Sequence, residues 1–149
     1  MKLEEALKTN KFTNEVHKAS INLLYTSYWL KSNLNGSIKE HGITPEQYNV
    51  MRILKGSHPN ALCVKDIAER MIEQASNVPR IIQRMLVKKL VVKKTSGEDK
   101  RETLVSLTDK GIELLEKATL SVNTTTASRL NITEEEALQL NLLLEKLRH

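Results

Sequence analysis

Residues 91–108, VVKKTSGEDKRETLVSLT, hold two short apolar runs, Val91-Val92 and Leu104-Val105 with Leu107, around a tip that is charged or turn-forming. The second run is rich in β-branched residues and the tip contains Ser96-Gly97, a pattern that predicts a β-hairpin. A lone two-stranded hairpin is marginal in water, so the rest of the chain must give it a surface to lean on. That requirement constrains the architecture more than any other stretch. The tip itself carries Lys93, Lys94, Lys100 and Arg101, which need either water or an anionic partner.

The surrounding patterns are helical. ITPEQYNVMRIL places Thr44 as N-cap, Pro45 at the first helical position and Gln47 to complete a capping box, with Gly56 to Pro59 as the stop. VKDIAERM spaces Val64, Ile67, Ala68 and Met71 as a small amphipathic helix. ASNVPRIIQRMLVKKL begins with Ser76 as its expected N-cap and keeps Pro79 in the first turn. Its Val78, Ile81-Ile82 and Met85-Leu86 share one face.

Outside this unit, a long element from about Thr13 to Ile38 has an apolar stripe wide enough for burial on more than one side, as at a subunit interface. Thr108 is expected to cap a helix through Ile112, Leu115, Ala118 and Val122, and TTTASRLN to fray. A capping box of Thr133 and Glu136 opens a last helix, with Leu140, Leu143, Leu144 and Leu147 at i, i+3, i+4 and i+7. The expected fold is mainly α with a β-hairpin wing. A winged helix-turn-helix DNA-binding domain would span 44–107, and 1–43 with 108–149 would form a helical dimerisation region.

A chain of 149 residues is long enough for one real core. Its single cysteine cannot form an internal disulfide, and no stretch approaches the 18 apolar residues of a membrane span. With no signal-like N-terminus, a cytoplasmic protein without a membrane role is expected. The net charge of +5 is unevenly spread: from Arg80 to Arg101 there are eight cations against two anions, so the remainder is slightly negative. Such a concentration points to a polyanionic partner, nucleic acid before a membrane surface, with a solvated basic face as the bland alternative.

The chemistry follows from the middle helices. Two short helices joined by a tight turn form a helix-turn-helix, whose second helix can enter the major groove. That helix presents Ser76, Asn77, Arg80, Gln83 and Arg84 away from its apolar face. Ser, Asn and Gln suit base edges or phosphates, and Arg can fork onto guanine. The hairpin can then pack as a wing, leaving its cationic tip free to reach a minor groove.

ITPEQYNVMRIL, VKDIAERM, SNVPRIIQRM, DKR and VSLTDKG together resemble the MarR family of winged-helix transcription regulators, over about residues 44–111. Asp99-Lys100-Arg101 followed by Leu107-Thr108-Asp109-Lys110-Gly111 is the most specific part. The resemblance implies that Arg101 enters the minor groove, oriented by Asp99, and that Ser76 and Arg80 match the family's Ser-x-x-x-Arg on the recognition helix. It also implies a homodimer with interlocking terminal helices that represses genes until a small molecule or oxidant releases it. Two positions depart from the pattern. Lys89 stands where a glycine is usual, and a left-handed turn would strain it, so a differently built helix end is expected. Lys93 replaces an arginine, keeping charge but losing the bidentate fork.

The DNA-binding set is thus Ser76, Asn77, Arg80, Gln83, Arg84, Lys94, Asp99, Lys100 and Arg101. Lys88, Lys89, Lys93 and Lys94 fit nonspecific phosphate contacts or plain solvated charge better than base reading. Cys63 fits a buried structural role better than a redox sensor, which the family places nearer the N-terminal helix. Tyr25, Trp29 and Tyr48 are candidates for a pocket holding a small aromatic or anionic effector, with a core role as the equal alternative. The four histidines are scattered, so neither a metal site nor a cofactor is expected, and no catalytic constellation suggests an enzyme. The main alternative is a winged helix that meets an acidic protein partner.

Overall fold

The computed structural model describes residues 1–95 and 103–148. Along the chain run α1 (Leu3–Leu7), α2 (Glu15–Lys39), α3 (Pro45–Ser57), β1 (Leu62–Cys63), α4 (Val64–Glu69), α5 (Val78–Val87), β2 (Val91–Thr95), β3 (Thr103–Leu107), α6 (Asp109–Arg129) and α7 (Glu134–Lys146). The molecule is mainly helical, with a small antiparallel sheet as the wing.

Local signals set most helix starts. Thr44 accepts from the Gln47 amide while the Gln47 side chain returns to the Thr44 amide. Thr133 and Glu136 repeat the arrangement at α7, and Thr108 caps α6 by accepting from the Gly111 amide. At α5 the cap is Asn77 rather than Ser76: Asn77 Oδ1 accepts from the Arg80 amide at 3.1 Å. Ser76 is drawn into the preceding turn, its own amide donating to the Glu73 carbonyl, so the helix begins one residue later.

β2 and β3 pair with Val91 opposite Leu107 and Thr95 opposite Thr103. Alternation then puts Val91, Val105 and Leu107 on one face, and all three are buried. The surface they lean on is the core shared by α3, α4 and α5, where Val50, Met51, Ile67, Ile82 and Met85 have no exposed area. β3 also pairs along its other edge with β1, Leu62 opposite Val105, giving the sheet order β1-β3-β2. That third strand was not expected, because two residues carry no alternation to read.

Two further expectations are corrected. The TTTASR stretch does not fray but continues α6 to Arg129. The Thr124, Thr126 and Ser128 hydroxyls donate back to the carbonyls of Leu120, Val122 and Thr125, and Ser37 of α2 shares a hydrogen bond with Thr125. Close packing of α2 on α6, with His41 Nε2 2.8 Å from Ser121 Oγ, holds residues whose own helix propensity is weak.

The end of α5 is the second. Lys89 does take up the left-handed conformation, φ 58°. Its amide donates to the Leu86 carbonyl and the Leu90 amide to the Met85 carbonyl, the pair of bonds that defines a Schellman stop. Leu90 and Met85, both buried, supply the apolar contact that goes with it, and this packing holds a non-glycine residue where glycine is favoured.

A single chain leaves large apolar surfaces uncovered. α2 buries only Ser37 and Ile38, and α7 buries nothing. Leu24 and Tyr28 of α2 are each 73% exposed, Leu143 of α7 62%, and Leu147 just beyond its end 65%.

Candidate nucleic-acid interface

α5 is the most sharply two-sided helix of the winged unit. Val78, Ile82 and Met85 are buried, with Ile81 and Leu86 packed beside them. At about 100° per residue, the direction opposite that face falls between Arg80 and Val87, with Gln83 and Arg84 flanking it on either side and Ser76 in the turn just before the helix. Ser76 is half-exposed and the others are exposed. Arg80 and Arg84 border a cleft of about 320 Å³ against Thr44 and Glu46 at the start of α3. Neither arginine is ion-paired among the described residues. The Asn77 side-chain oxygen is committed to its cap, which leaves only its amide nitrogen for a ligand.

The base of the wing is tied to the far end of α5. Lys88 does not project freely: its ammonium donates to the Gly42 carbonyl at 2.5 Å and to Gln47 Oε1 at 3.2 Å. Lys110 donates to the Lys88 carbonyl, the Thr108 hydroxyl to the Lys89 carbonyl, and the Thr108 amide to the Leu90 carbonyl. The turn after α2, the start of α3 and the capped start of α6 therefore converge on the α5 stop, from which the wing departs. Of the basic residues that follow, Lys93 and Lys94 on β2 are exposed. Asp99, Lys100 and Arg101 lie outside the described residues.

Beside this surface, a cavity of about 600 Å³ lies between α2, α3 and the turn that joins α4 to α5. Leu30, Leu34, Ile38, Tyr48 and Met71 give it an apolar lining, and Arg52 brings a guanidinium to it. Lys31 of α2 is ion-paired to Glu73 of the α4–α5 turn, and both line the space. Asn49 Oδ1 accepts from the Ile72 amide at 2.9 Å, fixing the same turn from α3. Of the three aromatics proposed for an effector pocket, Tyr48 lines this cavity, its hydroxyl donating to Thr119 Oγ1. Tyr25 and Trp29, both half-buried, are not among the lining residues. Lys31, Arg52 and Glu73 had not been expected here: they stand far apart in sequence and no periodicity links them.

Cys63 is buried, and its sulfur accepts from the Asp66 amide at 3.4 Å as the cap of α4. Among the described residues, no three His, Cys, Asp or Glu side chains are grouped so that they could hold a metal ion, and no helix is long and apolar enough to cross a membrane.

The comparisons with known proteins agree with this geometry. A family described as a winged helix DNA-binding domain matches residues 43–111. The transcriptional repressor MdtR of Bacillus subtilis is 36% identical over 104 residues, 69% of this chain and 66% of that protein. The alignments span between half and two thirds of the length of the curated relatives the chain matches. Among solved structures, a MarR-like transcription regulator from Bacillus cereus superposes with a TM-score of 0.79 at 27% identity, covering 90% of this chain and 96% of that one. A complex of S. aureus MepR with DNA superposes at 0.74 and 26% identity, over 92% and 97% of the two chains.

Proposed function

This chain belongs to the MarR family of winged-helix transcription regulators, and from that premise we propose that it acts as a homodimeric, sequence-specific regulator, most often a repressor, on pseudo-palindromic duplex DNA. One observation carries the reading. Apart from Val87 at its end, the face of α5 opposite the core carries hydrogen-bonding and cationic side chains without ion-pair partners among the described residues, on a helix whose other face is locked into the protein. Arg80, Gln83 and Ser76 are the groups for the major groove, and Arg84 with the exposed Lys94 serves the phosphates. On the strength of the sequence pattern alone, Lys100 joins these phosphate contacts and Arg101, oriented by Asp99, is the minor-groove residue. The bare apolar faces of α2 and α7 supply the homodimer interface. That pairing sets two recognition helices against successive major grooves, roughly one helical turn apart. The cavity between α2, α3 and the α4–α5 turn is the place for a small aromatic or anionic effector, with Arg52 as the candidate for an acidic group.

The test is fluorescence anisotropy of the purified protein against duplex from upstream of its own gene and against scrambled duplex, across a salt series. Tight binding that favours the upstream duplex and falls steeply with salt is expected. Absence of binding to either duplex at low salt would overturn the reading in favour of an acidic protein partner.

A further inference from the structure

The outward face of α5 ends in a residue, Val87, that can neither donate nor accept a hydrogen bond through its side chain and yet points directly away from the core. Val78, Ile81, Ile82, Met85 and Leu86 all pack into or against the core, whereas Val87 is 77% exposed. By helical angle Val87 is the residue most directly opposed to the buried face, in line with Arg80 and flanked by Gln83 and Arg84. A single exposed valine on an ordinary surface needs no explanation. This one stands in the row that the proposed function, on which the inference rests, brings against the DNA.

Its surroundings suit a fixed contact. The next residue, Lys88, is bound back onto Gly42 and Gln47, so the turn carrying Val87 is anchored. β-Branching leaves a helical valine one strongly preferred rotamer, so little side-chain freedom is lost on contact. From Arg80 to Val87 the helix rises about 10 Å, less than the roughly 12 Å width of a major groove, so both side chains can reach the same groove. Among base edges in the major groove, the feature that matches a pair of methyl groups is the C5-methyl of thymine.

We propose that Val87 is a specificity-determining residue that reads a thymine methyl group in each half-site. To test this, a preferred duplex is first enriched from a random library on the purified dimer, and each thymine is then replaced by uracil, which removes only the methyl. Affinity is expected to fall about 4-fold at one thymine per half-site, the worth of one buried methyl-sized group. Val87→Ala, at an exposed position and carried by both protomers, should bind the thymine duplex less tightly by about 4-fold per half-site, roughly 16-fold in all, and no longer distinguish it from the uracil duplex. The inference is overturned if no thymine responds in the parent protein, or if Val87→Ala keeps the full thymine preference. A library that yields no enriched sequence overturns the DNA-binding reading itself, a failure visible before any uracil is introduced.

Discussion

Gly111→Ala is the substitution whose consequence can be worked most directly from the structure. Gly111 sits in the first turn of α6, and a Cβ there would lie 2.2 Å from the Leu90 carbonyl oxygen and 3.2 Å from Leu107 Cδ2. The gap would have to open to at least 3.0 Å. Leu90 cannot retreat easily, since it and Val91 are each 1% exposed and its carbonyl accepts from the Thr108 amide at 3.1 Å. Overpacking of this kind costs about 1–3 kcal/mol. Weakening the Thr108 bond adds about 1 kcal/mol. The better helix propensity of alanine returns at most about 1 kcal/mol. The net expectation is destabilisation by about 2 kcal/mol, or a fall in melting temperature of about 4–8 °C for a chain of this size. Urea unfolding at fixed protein concentration measures it, because the dimer equilibrium would otherwise contribute. The clash lies where α6 meets the wing, so duplex affinity should fall in the same variant while it is still folded. Stability and affinity both equal to the parent's would mean that α6 does not press on Leu90 as described.

Lys89→Gly should do the opposite. It relieves about 1–2 kcal/mol of left-handed strain and loses about 0.5–1 kcal/mol to the freer unfolded chain, for a net gain of up to about 1.5 kcal/mol in urea unfolding. A loss of stability would contradict the strain account. Lys88→Met should lower specific affinity and leave the slope of log affinity against log salt unchanged, whereas Lys94→Ala should reduce that slope by about 1 for each phosphate it no longer neutralises. Equal slope changes in the two would make Lys88 a phosphate ligand instead of a strut. Arg101→Ala is expected to weaken specific binding by about 1–3 kcal/mol in the anisotropy assay, and affinity unchanged within error would remove the wing from the interface. Leu143→Glu should weaken dimerisation on the order of 100-fold or more in sedimentation equilibrium, since a carboxylate would be buried without a partner. A dimer of unaltered affinity would exclude this part of α7 from the interface.

Much of this architecture can be read from neighbouring residues, because the forces concerned act within one or two turns. Capping by Thr44, Thr108 and Thr133 depends on side chains reaching amides three residues away, and spacing alone tells which face of α5 is buried. The same spacing places Arg80, Gln83 and Arg84 on the open face. Sequence misplaces the cap of α5 by one residue because Ser76 and Asn77 are equally good capping types, and only the turn that engages the Ser76 amide separates them. It also underestimates the extent of α6, because TTTASR has poor propensity, which packing on α2 overrides. Val87 escapes notice for its chemistry, although its position in the row is as legible as that of Gln83.

Composition, periodicity and capping residues are thus sufficient to establish a mainly helical chain with a basic recognition helix and a hairpin wing, and the family resemblance comes from the same residues. Long-range packing decided the rest: the β1 strand completing the sheet, the left-handed Lys89, the turning of Lys88 inward onto Gly42, and the cavity where Lys31, Arg52 and Glu73 meet Tyr48. Each of these joins groups distant in sequence, whose proximity depends on how the helices stack. A pattern of neighbours carries the preference of a segment for its own conformation, and it carries no record of which distant backbone or side chain will stand opposite once that segment has folded.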